Sequence, residues 1–156
     1  MSISLATSPR ALLSSSRLKQ SHTTLTVSTR GKGLYPFTRA VEKWLSGQGI
    51  SDGLLTVFVQ HTSCSLVIQE NVDPDVTLDL RDYFERLVPE DVRGYRHSLE
   101  GPDDMTSHIR STLTGVSTGI PLMAGRLALG TWQGLYLFEH RTIPHERSVM
   151  LHVIGE

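Results

Sequence analysis

The sequence predicts a single α+β domain, built from mixed β-sheets and a few helices, and three features carry that prediction. Apolar residues recur at a period of two in some stretches and at 3.6 in others. The two kinds of stretch do not follow the regular strand–helix–strand order of a doubly wound fold. The chain has 156 residues, the size of one domain, and no internal repeat divides it.

Taken in order, Ser21–Thr29 alternates, with Leu25 and Val27 on one side and Thr24, Thr26 and Ser28 on the other, as in a half-buried strand. Gly31 and Gly33 end it. From Pro36 the period becomes helical, with Phe37, Ala40, Val41, Trp44 and Leu45 on one face and Gly47 and Gly49 as the stop. Gly53–Glu70 reads as a long buried strand, interrupted by the polar Gln60-His61-Thr62-Ser63. Asp73-Pro74-Asp75 is a cap followed by proline in the first turn, and the helix it opens is expected to bury Val76, Leu80, Tyr83, Phe84 and Leu87. His97–Pro102 reads as a loop. Asp103 or Asp104 caps a further helix ending at Gly115, and strands follow at Pro121–Ala124, Arg126–Trp132, Leu135–Glu139 and Val149–Ile154.

Composition removes several classes of function. No apolar run approaches the ~18 residues of a membrane span. Cys64 is the single cysteine, which excludes an intrachain disulfide and zinc sites built on paired thiolates, and leaves imidazole and carboxylate as the metal ligands on offer. No phosphate-binding glycine loop, dinucleotide fingerprint or nucleophile elbow is present. A cytoplasmic protein is expected. The first 41 residues carry +6 and the rest −7, for a net charge of −1. Residues 1–20, acid-free and rich in Ser and Arg, read as a disordered leader dispensable for folding, with residues 21–156 as the domain. Because the body is acidic and only the leader basic, nucleic acid is not the expected partner.

Three polar clusters hold the candidate chemistry. His61-Thr62-Ser63 with Glu70-Asn71 crowds an imidazole, two hydroxyls, a carboxylate and an amide at the end of a buried strand; this is either a site or ordinary turn polarity. His97-x-x-Glu100-Gly101 with His108 offers two imidazoles, either for a metal or for solvent, and Gly101-Pro102 means that only a fold can bring them together. Leu129-Gly130-Thr131-Trp132-Gln133-Gly134, followed by Glu139 and Arg147, is either a place for close ligand approach or a hairpin turn.

In this order, with Asp73-x-Asp75 and the ending Val153-Ile154-Gly155-Glu156, the motifs resemble the YjbQ family over roughly Leu25–Glu156. Members of that family have been described as having a secondary thiamine-phosphate synthase activity. The resemblance implies an α+β trimer with a metal- or anion-occupied pocket. It implies His97 and His108 as metal ligands, with His61 as the nearest third candidate. The ion would be zinc or another transition metal rather than magnesium, which prefers oxygen ligands. Thr62, Ser63, Asn71, Trp132, Gln133 and Arg147 become candidates for holding a phosphorylated small molecule. Asp75, Glu100 and Glu139 are candidates for positioning ligands or moving protons. The reaction implied joins a pyrimidine diphosphate to a thiazole phosphate with loss of pyrophosphate; a metal-dependent hydrolase and a non-catalytic metal- or anion-binding protein are the alternatives. Where the family often has asparagine after Glu-Gly, this chain has Asp103-Asp104, which adds negative charge.

Overall fold

A computed structural model describes residues 17–90 and 94–156. The elements are β1 (Lys19–Ser28), β2 (Gly33–Pro36), α1 (Thr38–Leu45), β3 (Gly53–Val59), β4 (Cys64–Glu70), α2 (Pro74–Leu87), α3 (Asp104–Thr114), β5 (Ser117–Met123), β6 (Arg126–Leu127), β7 (Gln133–Glu139) and β8 (Glu146–Gly155). They form a five-stranded sheet ordered β1-β8-β3-β5-β6 and a three-stranded sheet ordered β2-β7-β4. All the pairings among the described residues are antiparallel, and the two sheets with their helices make the α+β fold that the sequence predicts.

Between the sheets lies the core. Leu55, Val57, Val59, Leu151 and Val153 of the larger sheet meet Leu66, Leu135 and Leu137 of the smaller one, with Val41 and Leu45 of α1 closing one side. Burial alternates along β3 and β8, and the expectation of a β3 buried on both faces is corrected, since Leu54 and Phe58 are exposed while Leu55, Val57 and Val59 are buried. The polar break at residues 60–63 is the point where the chain leaves one sheet for the other: β3 pairs with β8 and β5, whereas β4 pairs with β7. At the far end of β3, Gly53 sits so close to β8 that a Cβ there would lie 2.2 Å from the Ile154 carbonyl oxygen. Gly53→Ala is therefore expected to cost about 1–3 kcal/mol or more by overpacking against backbone. An unchanged denaturation midpoint would show that the strands separate freely at that point.

Three expectations are revised. Strand β1 begins at Lys19, whose partner is Gly155, two residues inside the segment read as a leader, most of which lies outside the described residues. Strand β2 went unseen in the sequence, because four residues bounded by Gly33 and Pro36 are too few to show a period. The α2 boundaries hold, and Asp73 caps the helix by accepting a hydrogen bond from the Asp75 amide at 2.9 Å. Its expected burial does not: no α2 residue is buried, and Tyr83 and Leu87 are 53% and 51% exposed. The helix docks instead through Phe84, edge-on to Phe138 with ring centroids 5.3 Å apart, and through Glu85, which pairs with Arg110.

Candidate functional site

The loop before α3 and the first turns of α3 bring together His97, Asp104 and His108, with one ligand atom from each lying within 4.8 Å of the others. Asp104 and His108 are four residues apart, one helical turn, so they share a face. His97 arrives from the loop, with its Nε2 2.5 Å from Asp104 Oδ2. The tautomer of His108 follows from its partner: Nδ1 lies 2.9 Å from the Thr62 carbonyl oxygen, which can only accept, so Nδ1 carries the proton. Its Nε2 is then the nitrogen turned toward Asp104 Oδ2, 3.3 Å away. An imidazole held by a backbone carbonyl, with its other nitrogen open, is the arrangement metal-ligating histidines adopt.

Arg141 braces the cluster. Its guanidinium pairs with Asp104 Oδ1 and with Asp103 Oδ2 (3.1 Å), and donates to the Glu100 carbonyl at 2.9 Å. Burial raises the Asp103 carboxyl, but hydrogen bonds from the Thr142 amide and hydroxyl and from Arg141 outweigh it and hold it below the usual carboxylate range. Asp104 thus turns one oxygen to the arginine and the other to the two imidazoles. Sequence reading missed both Asp104 as a ligand and Arg141; the Asp-x-x-x-His spacing on one helix turn was the available signal for the first.

His61 is not part of this cluster. Its Nε2 accepts a hydrogen bond from the Ser148 amide at 2.8 Å, which uses the lone pair a metal would need. Burial, then the nearby Arg147 charge, lowers its pKa and keeps it neutral. Beside His108 lies a groove of about 770 Å³ lined by Phe58, Val59, His61, Thr62, Ser111 and Val116 among others, with no Asp, Glu, Lys or Arg in its wall among the described residues.

Glu139 and Arg147 face each other in the interior. Glu139 is fully buried and Arg147 is 3% exposed. They form a two-pronged pair at 2.7 and 2.5 Å, and the Thr29 hydroxyl and the amides of His140 and Arg141 complete the shell of the carboxylate. Burial raises the Glu139 carboxyl, but these hydrogen bonds outweigh it and leave it below the ordinary range. Cys64, next in this interior, has its thiol pushed up to about 12, chiefly by burial, which makes it a packed residue and not a nucleophile. Ser63 is buried as well.

The remaining candidates stand elsewhere. Glu100 has an exposed side chain and touches the cluster only through its carbonyl. Asn71, Trp132 and Gln133 gather at the other end of β4, where the Asn71 backbone N–H donates to the Trp132 carbonyl at 2.9 Å, while Asp75 lies in the first turn of α2. The seven residues of β4 span roughly 20 Å, so one chain does not unite the clusters that the sequence suggested would share a pocket. This second place is a polar cleft of about 590 Å³, lined by Arg39, Arg126 and the carboxylate Glu42, with Asn71, Thr131 and Gln133 among others.

The comparisons agree with this architecture. The chain is 53% identical over 143 residues to a UPF0047 protein of Synechocystis, covering 92% of this chain and 97% of that one. It is 42% identical over 134 residues to the UPF0047 protein YjbQ of Salmonella typhimurium, covering 85% and 96%. Among solved structures, a YbjQ-like protein from Sulfolobus solfataricus superposes with a TM-score of 0.82 at 26% identity, over 90% of this chain and 100% of that one. A hypothetical protein from Aeropyrum pernix does so with 0.80 at 34%, over 87% and 99%. The family model described as UPF0047 protein YjbQ-like matches residues 23–156, and the chain belongs to the YjbQ (UPF0047) family.

Proposed function

We propose that this chain is a metal-dependent enzyme acting on a small molecule, with His97, Asp104 and His108 as ligands of one divalent transition-metal ion. The observation that carries this reading is the donor set: two imidazoles and a carboxylate converging within 4.8 Å, with His108 already in the tautomer a ligand needs. Such a set suits zinc, iron or manganese better than magnesium. When bound, the ion supplies a Lewis acid that acidifies water and polarises a carbonyl or phosphoryl oxygen. The rest falls to the chain. Arg141 fixes Asp104 so that only Oδ2 points to the imidazoles. Thr62 aims His108, and Phe58, Val59 and Val116 give the neighbouring groove apolar walls suited to an uncharged group.

Hydrolysis is the reaction class this reading favours, because among the described residues the groove offers no Lys or Arg to stand beside the ion and hold a diphosphate. The transfer between phosphorylated thiamine precursors is the second reading, and the Arg39/Arg126 cleft is the observation in its favour. The working form is taken to be a homotrimer, so light scattering at micromolar concentration should return three times the chain mass; a monomer mass sinks that part. The test of function is turnover by protein stripped of metal and reloaded with zinc, manganese or iron. It should be offered a panel of esters, amides and phosphate esters, and separately both thiamine precursors. Metal-dependent hydrolysis supports the first reading and pyrophosphate release the second. Turnover that ignores the metal overturns the proposal.

A further inference from the structure

The groove beside His108 carries a donor whose direction the backbone fixes, and it belongs to His61. Residues 60 and 61 are held by both backbone groups of Ser148 in β8. The Ser148 carbonyl accepts the Gln60 N–H at 3.1 Å, and the Ser148 amide donates to His61 Nε2 at 2.8 Å. A ring nitrogen that accepts carries no proton, so the single proton of the neutral imidazole sits on Nδ1. Turning the ring over would set a carbon against the Ser148 N–H, which keeps one orientation. The surroundings favour the neutral ring as well. Burial lowers the His61 pKa most, the Arg147 charge lowers it further, and the opposing pull of Glu139 does not offset them.

His61 Nδ1–H has no partner among the described residues, and it is not enclosed: the enclosed, unpartnered side-chain atoms there are Arg110 Nε and His140 Nδ1. Other polar groups of the groove wall are already committed or are exposed. The Ser111 hydroxyl donates to the Cys64 carbonyl at 2.9 Å and the Thr112 hydroxyl to the His108 carbonyl at 2.9 Å, whereas Gln60 and Thr62 are exposed residues. The residue after His61 supplies the carbonyl that aims His108, so donor and cluster are tied through one peptide step. Phe58, Val59 and Val116 make much of the remaining wall apolar. An apolar wall with a neutral, pre-aimed N–H suits an oxygen that is uncharged before reaction and gains charge during it.

We propose that the substrate is an uncharged ester or amide with an apolar substituent, its carbonyl oxygen bonded to His61 Nδ1–H in the groove beside His108. This rests on the cluster as the reacting centre. Water adds to the carbonyl carbon, and the carbonyl electron pair moves onto the oxygen beside His61. Its return expels the alcohol or amine, which leaves with one proton of the water. His61 keeps its own proton throughout, and its part is to hold the oxygen and stabilise the charge that develops there.

The full chain, without metal and with isotope-labelled histidine rings, is titrated with acetophenone. In parallel it is titrated with α-methylstyrene, which has the same planar shape but a methylene in place of the oxygen. Before titration the His61 signals should place the proton on Nδ1. Acetophenone should move the signals of Nδ1 and its proton, and α-methylstyrene should leave them in place. His61→Phe keeps a ring in the wall and should bind acetophenone about five- to tenfold more weakly. After zinc loading, the same variant should hold as much metal as wild type, yet turn over phenyl acetate with kcat lowered about 100-fold and KM changed far less. The proposal is overturned by a proton on Nε2, by acetophenone leaving the His61 signals unmoved, by α-methylstyrene moving them equally, or by a wild-type kcat in metal-loaded His61→Phe. The wild-type titrations need no variant, so they decide the matter even where His61→Phe fails to fold. If zinc-loaded wild type cleaves no ester or amide, the hydrolase reading fails by itself, and the metal-free titrations still decide whether His61 is the carbonyl donor.

Discussion

Replacing Arg147 by alanine is expected to lower the thermal midpoint by roughly 6–20 °C, because breaking a buried pair costs about 3–5 kcal/mol and each kcal/mol is worth about 2–4 °C at this size. The substitution leaves the fully buried Glu139 with hydrogen bonds but no counter-charge. Had Arg147 been the phosphate ligand that the motif order suggested, the same change would remove ligand binding and leave the fold almost intact. A midpoint within about 2 °C of wild type, together with lost anion binding, would restore that role. The pH dependence has a definite sign. The Glu139 carboxyl is held below its ordinary value when folded, so its contribution is present above the unfolded carboxylate range, near ~4.3, and is lost as pH falls through the lower folded value. Glu139→Gln should be less stable than wild type at neutral pH, and the gap should narrow on acidification. A gap that stays constant to pH 2 would show that Glu139 does not titrate with folding.

The second large effect is on metal content. His108→Ala and Asp104→Asn are each expected to take the bound metal from about one equivalent per chain to near zero, since three ligands are the minimum a protein site commonly supplies. His61→Ala should keep its metal, because the His61 lone pair serves the Ser148 amide, and should instead lose some stability by leaving that amide unpaired. His152, half-buried in β8 and 3.2 Å from Gln20, is the neutral control. Elemental analysis of protein purified without an affinity tag separates the cases. Equal metal in wild type, His108→Ala and Asp104→Asn would dismiss the cluster, and loss of metal from His61→Ala would return His61 to the ligand set.

What the sequence could determine was whatever repeats locally. The period-two run of β1, the helical period of α1 and the Asp73-Pro74 start of α2 are written in adjacent residues, and each appears within a few residues of where the pattern put it. The family, too, was legible from six short motifs in order. The tertiary structure decided what those motifs do. His61, Glu139 and Arg147 look like site residues because imidazole, carboxylate and guanidinium are the vocabulary of catalysis, but the same groups hold a sandwich interior together when its neighbours bury and pair them. Asp104 and Arg141 are 37 residues apart, and only the return of the chain from β7 brings the arginine onto the carboxylate and fixes which oxygen faces the histidines. Likewise the apolar stripe of α2 foretold a buried face, yet a pattern records only that a surface is apolar, and the neighbours that would cover it are set by the packing of elements distant in sequence.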